Sequence, residues 1–137
     1  MTLELHATPE EVMRAVEALQ EFCQAQRVPK PTSFGLALAL EECGSNIVNH
    51  ALQRDARQMF LVTIQHSGRE ILIELRDRGP EFDPTQAQAR PTTDEDPPGG
   101  WGISLVRRYI DELRYTREAG QNVLRLTKRV ADPATPD

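Results

Sequence analysis

Nucleic-acid binding has no electrostatic footing in this sequence. Its 16 lysines and arginines are outnumbered by 21 acidic residues, giving a net charge of -5, and no Lys/Arg block interrupts that balance. Cysteine is scarce. Cys23 and Cys43 sit inside apolar periodic runs, and no CxxC or Cys/His cluster has zinc-ligand spacing. They read as two buried thiols in a reducing compartment. The N-terminal stretch MTLELHATPEE carries Glu4, Glu10 and Glu11 and lacks an apolar core, so no signal peptide is expected. No apolar run reaches bilayer-spanning length, so no membrane segment is expected and a cytoplasmic location is.

What remains has the hydrophobic and charged fractions of an ordinary globular protein, and 137 residues fit one domain with a substantial core. The domain is expected over 1–130. The proline-rich ending ADPATPD (131–137) is expected to be a disordered tail.

Residues 2–6 read as a short strand. Thr8-Pro9-Glu10-Glu11 is a helix start, with a capping Thr, Pro at the first helical position and Glu at the third. Apolar residues from Val12 to Cys23 follow at helical spacing, and the helix is expected to end near Val28, before Pro29 and Pro31. A second helix is expected from about Thr32 or Ser33 to Leu52. Met59–His66 and Glu70–Asp77 are strand-like, joined by the hairpin signal Ser67-Gly68-Arg69. From Arg78 to Pro98 the chain is a long loop rich in proline and acid. Helical patterning returns over Trp101–Asp111, and two strands, about 112–118 and 122–130, flank Ala119-Gly120-Gln121. This order predicts an α+β fold: a two-layer sandwich with helices on one face of a mainly antiparallel, mixed sheet.

Three features carry chemistry, and each has a plain alternative. On the second helix Glu42, Asn46 and Asn49 recur at i, i+4 and i+7, apart from the apolar stripe Leu36, Leu40, Cys43, Ile47, Ala51. A solvated stripe explains that equally well. Asp77-Arg78-Gly79-Pro80 directly follows a strand, which delivers one carboxylate to a fixed place beside a glycine that permits close approach. A simple turn uses the same residues. Gly99-Gly100-Trp101-Gly102 opens a helix, where unobstructed backbone N–H groups suit phosphate. No GK[ST] follows, and no strand directly precedes it, which excludes a Walker A loop and a dinucleotide fingerprint. A hinge is the plain alternative.

In fixed order, these features resemble the N, G1 and G2 boxes of the gyrase/histidine-kinase ATP-binding superfamily, the Bergerat fold. Within it the chain is most similar to bacterial anti-sigma factor serine kinases. The matching stretches are Glu41-Glu42-Cys-Gly-Ser-Asn46-Ile-Val-Asn-His50-Ala51, Asp77-Arg-Gly79-Pro-Glu-Phe82-Asp83-Pro84, and Gly99-Gly-Trp-Gly102-Ile-Ser-Leu-Val-Arg107. The likeness spans roughly residues 3–129. It implies that Asn46 coordinates a Mg²⁺ on the phosphates of ATP, an oxygen ligand suited to that ion. It implies that Asp77 accepts from the adenine amino group, that Gly79 leaves room for the base, and that Gly100 and Gly102 offer N–H groups to phosphate. Asn49, His50, Phe82 and Gly99 join the implied nucleotide-binding set. Residues 83–98 would be the lid. Thr127, on the last strand, would bond a water beside Asp77. Trp101 departs from the smaller aliphatic residue usual between the glycines.

By the same resemblance, Glu42, one turn before Asn46, would be the general base of a protein serine/threonine kinase. The partner implied is an anti-sigma factor antagonist of STAS type, with a sigma factor as a further partner and a homodimer as the expected assembly. His6, His50 and His66 are isolated and are not read as phospho-acceptors. The alternative is a module in which ATP sets a shape that sequesters a sigma factor or another regulator without phosphotransfer.

Overall fold

A computed structural model describes residues 1–86 and 102–130. Five strands, β1 (Thr2–His6), β2 (Met59–Ser67), β3 (Glu70–Asp77), β4 (Glu112–Glu118) and β5 (Gln121–Arg129), form one sheet in the order β1-β2-β3-β5-β4. All four pairings are antiparallel, and there is no parallel pair among the described residues. Two tight turns build it. Gly68 at φ +57° closes β2–β3, and Ala119 and Gly120 at φ +50° and +78° close β4–β5. Positive φ at both central residues suits the twist of a hairpin.

Three helices cover one face: α1 (Pro9–Ala25), α2 (Lys30–Asn46) and α3 (Ile103–Tyr109). Thr8 caps α1 by accepting from the Glu11 N–H at 3.2 Å, as the sequence predicts. α1 stops at Ala25 rather than near Val28, because Arg27 turns left-handed (φ +59°) and the Val28 N–H returns to the Cys23 carbonyl. α2 starts at Lys30, ahead of the expected Thr32 or Ser33. Pro29 caps it and Pro31 falls in the first turn, where a missing N–H leaves no bond unmade. Instead of running on regularly to Leu52, the α-helix stops at Asn46 and widens into a π-helical turn, Ile47–Ala51, closed by Leu52 N–H to Ile47 O at 2.8 Å. The α1 and α3 boundaries differ from the sequence reading by a few residues, the usual uncertainty at helix ends.

α2 is the middle helix and is buried almost all round. Leu36, Leu40 and Cys43 face the sheet side of the core, while Gly44 meets Val12 of α1 and Gly35 meets Tyr109 of α3. A Cβ on Gly35 would lie 2.6 Å from the Tyr109 ring, so the helices close only over glycine. Under α2 lie Val62, Ile64, Ile71, Ile73, Leu75 and Leu126, all essentially fully buried. Each such side chain contributes about 1.5–3 kcal/mol relative to exposure. On the opposite sheet face, Glu74, Arg76, Arg125 and Glu118 link in a ring of ion pairs. Among the described residues no helix is long and apolar enough to cross a membrane. Residues 131–137 and most of the expected lid, 87–98, lie outside the described residues. The start of the lid forms a single 3-10 turn, Pro84–Gln86.

Candidate functional site

Two polar assemblies interrupt an otherwise apolar interior. The first is at the end of β3. Asp77 is 3 % exposed, and its neighbours follow from register. Asp77 lies opposite Asn122 on β5, and Asn122 lies opposite Arg117 on β4, so acid, amide and guanidinium stand abreast on three strands. Asp77 Oδ1 accepts from the Gly79 N–H and from Asn122 Nδ2, both at 2.9 Å. Burial pushes its carboxyl above the usual range, opposed by the Asn122 and Gly79 bonds and the nearby Arg117 charge.

Asn122 is the hub. Its Nδ2 also donates to the Pro80 carbonyl (2.9 Å). Its Oδ1 accepts from Tyr115 Oη (2.5 Å), the Phe82 N–H (3.0 Å) and Arg117 (3.0 Å). Arg117 reaches on to the Gly79 carbonyl at 2.8 Å. Sequence reasoning missed Asn122, Tyr115 and Arg117. The Ala119-Gly120 turn signal could have paired Arg117 with Asn122, but β3 beside β5 is a non-sequential pairing that no local signal marks.

Thr127 is a correction. It pairs with Leu72 and Glu112, five residues along β5 from Asn122. At about 3.3 Å per residue that is about 16 Å from the Asp77 end, beyond reach of a shared water. Asn122 occupies the place Thr127 was expected to serve. Gly79 is also required by the packing of the chain itself. A Cβ there would lie 2.6 Å from the Ala51 carbonyl and 3.0 Å from Asp77 Oδ1, so the turn is pressed onto the π-helical segment.

The second assembly is the end of α2. Asn46 is 2 % exposed, and its Oδ1 is buried with no hydrogen-bond partner among the described residues. Such an atom is costly to leave unsatisfied, by about 1–3 kcal/mol. Asn46 and Asp77 line one small cavity of about 10 Å³ with Phe82, Tyr115 and Asn122. Glu42 presents Oε2, also buried without a partner among the described residues, and burial followed by the neighbouring Glu41 charge pushes its carboxyl above the usual range. A Cβ on Gly102 would overlap this carboxylate, so Gly102, at the start of α3, is the seat on which Glu42 rests. Burial and then the Glu42 charge push the Cys43 thiol up to about 12, and with Cys23 it is free and buried, as expected of packing thiols.

The stripe read from the sequence therefore divides. Asn46 faces Asp77, whereas Glu42 and Asn49 line a separate groove of about 240 Å³ with Ser45 and Arg54, and Arg54 Nε donates to Asn49 Oδ1 at 2.8 Å. His50 stacks on Phe82 with ring centroids 5.7 Å apart, and its Nε2 is buried and unpartnered. Gly99, Gly100 and Trp101 lie outside the described residues. Among the described residues the orphaned amide oxygen of Asn46 suits a hard divalent cation that keeps most of its waters and takes few protein ligands.

The whole chain has counterparts. The serine/threonine-protein kinase BtrW of Bordetella bronchiseptica is 33% identical over 133 residues, which is 95% of this chain and 94% of that protein. The crystal structure of the RsbU and RsbW domains of Rv1364c from Mycobacterium tuberculosis superposes with a TM-score of 0.70 at 20% identity, a likeness of fold. It takes in 100% of this chain and 34% of that longer one. The family profile described as histidine kinase-like ATPase domain matches residues 5–128. With buried Asn46 and Asp77 meeting across the cavity and a matching profile over nearly its whole length, the chain belongs to the histidine kinase-like ATPase domain family.

Proposed function

We propose that this chain is an ATP- and Mg²⁺-dependent protein serine/threonine kinase that phosphorylates an anti-sigma factor antagonist of STAS type in the cytoplasm, and so governs access to a sigma factor by partner switching. The observation that carries the reading is the pair of orphaned buried oxygens, Asn46 Oδ1 and Glu42 Oε2, one helical turn apart on α2. Kinship with a relative named as a serine/threonine-protein kinase supports the reaction class.

In this reading Asp77 accepts from the adenine amino group and Asn46 Oδ1 ligates the cation. Bound Mg²⁺ supplies charge neutralisation on the phosphates. Glu42 receives the proton of the acceptor hydroxyl as that oxygen bonds the γ-phosphorus. The bond to the β,γ-bridging oxygen breaks, and ADP leaves with the electron pair. Burial suits Glu42 to the task, because a raised carboxyl is a better proton acceptor near neutral pH. Positioning and charge neutralisation account for most of phosphoryl transfer, with the base orienting the nucleophile. The cavity at Asp77 is too small for a purine as it stands. Phe82 and Pro84, which line it, must give way as the base enters. The kinase is taken to act as a homodimer.

The test is incubation with labelled ATP, Mg²⁺ and the cognate antagonist. Phosphoserine or phosphothreonine on the antagonist is the expected product. Nucleotide-dependent partner capture without any transfer would instead make the chain a nucleotide-gated binding module.

A further inference from the structure

Asn122 has more hydrogen bonds than its presence in a strand explains. Five groups from three parts of the chain converge on one amide: the Asp77 carboxylate, the Pro80 carbonyl, the Phe82 N–H, the Tyr115 hydroxyl and the Arg117 guanidinium. A side-chain amide has two N–H donors and one oxygen with two lone pairs, so here both donors are used and three groups share the oxygen. Its orientation is also fixed. Arg117 and the Phe82 N–H can only donate, so Oδ1 must face them and Nδ2 must face Asp77. Arg117 closes the loop by holding the Gly79 carbonyl, while the Gly79 N–H holds Asp77 Oδ1. Among the described residues, both bonds to Asp77 land on the same oxygen, Oδ1. The carboxylate is thereby pinned about its last torsion, which for a free Asp is broad.

We propose that Asn122, itself locked by Tyr115 and Arg117, is the positioning residue that makes Asp77 selective for a purine bearing an exocyclic amino group. The proposal rests on the reading of Asp77 as the adenine acceptor and adds what aims it. With Oδ1 engaged by two donors, the second oxygen is presented in one direction. A ligand amino group that meets it forms a charge-assisted bond, and a ligand lacking that group leaves a buried carboxylate oxygen unmatched. Discrimination by an unpaired buried polar group is far stronger than discrimination by size. A carboxylate free to rotate would lose much of that discrimination, because water or a neighbouring donor could satisfy it.

The isosteric change Asn122→Asp separates this from packing. It keeps the oxygen that Tyr115, Phe82 and Arg117 bond, and it replaces the donor aimed at Asp77 by a second acceptor. Calorimetry would compare ATP with purine riboside triphosphate, which lacks the amino group, on wild type, Asn122→Asp, Tyr115→Phe and Arg117→Met. Wild type is expected to prefer ATP by about tenfold or more. Asn122→Asp should bring the ratio close to one, and Tyr115→Phe and Arg117→Met should reduce it part of the way. A loss of overall stability alone would lower both affinities and leave the ratio unmoved. Should Asn122→Asp not fold, the two flanking variants decide the matter. Unchanged ratios in the variants that fold overturn the role of Asn122 while leaving nucleotide binding intact. Failure of wild type to bind either triphosphate overturns the ATP reading itself.

Discussion

The two halves of the site are built on opposite principles. On the sheet side Asp77 Oδ1, Asn122, Arg117, Tyr115 and the Gly79–Phe82 turn form a closed network of bonds of 2.5–3.0 Å, which leaves the second Asp77 oxygen for a ligand. On the helix side Glu42 Oε2, Asn46 Oδ1 and His50 Nε2 are buried without partners among the described residues. A satisfied network rigidifies a site, whereas orphaned polar atoms destabilise the free protein and become favourable only against a ligand. In the proposed reading the sheet half defines where the base sits, and the helix half holds reactivity in reserve until charge arrives.

This contrast can be broken most forcefully at Glu42. Replacing it by glutamine should lower transfer to the antagonist by about 10²–10⁴-fold, the range for a lost general base, with ATP affinity retained. The same variant should melt higher than wild type. The folded carboxyl is raised, so the native state binds a proton more readily than the unfolded chain. That contribution is present below the unfolded pKa and is lost as pH rises through the folded one. Above the folded pKa the wild type has lost it, and the glutamine has nothing to lose. Coincident loss of activity and loss of melting temperature would show that Glu42 is structural.

The pH profile of wild type tests the same group without mutation. Glu42 must be ionised to accept a proton, so the transfer rate should fall on the acid side with a midpoint above the ordinary carboxylate range. An acid limb at the ordinary carboxylate value would remove the argument from burial.

Asn46→Ala should weaken ATP binding in Mg²⁺ by about 10–100-fold, as measured by calorimetry, and much less in EDTA. Melting of the nucleotide-free protein should change little, since the oxygen removed had no partner. The opposite pattern is expected on the sheet side. Gly79→Ala places a Cβ against the Ala51 carbonyl and should destabilise the protein by about 1–3 kcal/mol in denaturant titrations. If Asn46→Ala proves the more destabilising of the two in the free protein, the contrast drawn between the halves is wrong.

Much of this was legible in the sequence, and the part that was not has a physical pattern. The Thr8 cap, the apolar stripe of α2 and the Gly68 and Gly120 turns are local signals, and the structure carries each of them. Glu42, Asn46, Asp77 and Gly79 stand where their motifs suggested, at a helix end and a strand end. What sequence could not supply was register across non-consecutive strands. β3 pairs with β5, so Asp77 meets Asn122, and Thr127 falls at the far end of the same strand. The π-helical turn was hidden as well. Ile47–Ala51 has ordinary helical composition, and nothing in it announces the wider turn that separates Asn49 from Asn46.

The contact between Gly102 and Glu42 bears on how this protein can change over generations. A methyl group at position 102 would overlap the Glu42 carboxylate where it now lies, so that flexible side chain would have to swing aside. The two sites are therefore coupled: a side chain at 102 costs the present placement of the acid, and costs less once the acid has been shortened or lost. On the proposed function, a lineage that gave up phosphotransfer would be freer to fill position 102, and an acid regained there would no longer find its old seat. The glycine at the foot of α3 would then work as a ratchet, marking descendants for which a return to catalysis is easy and those for which it is hard.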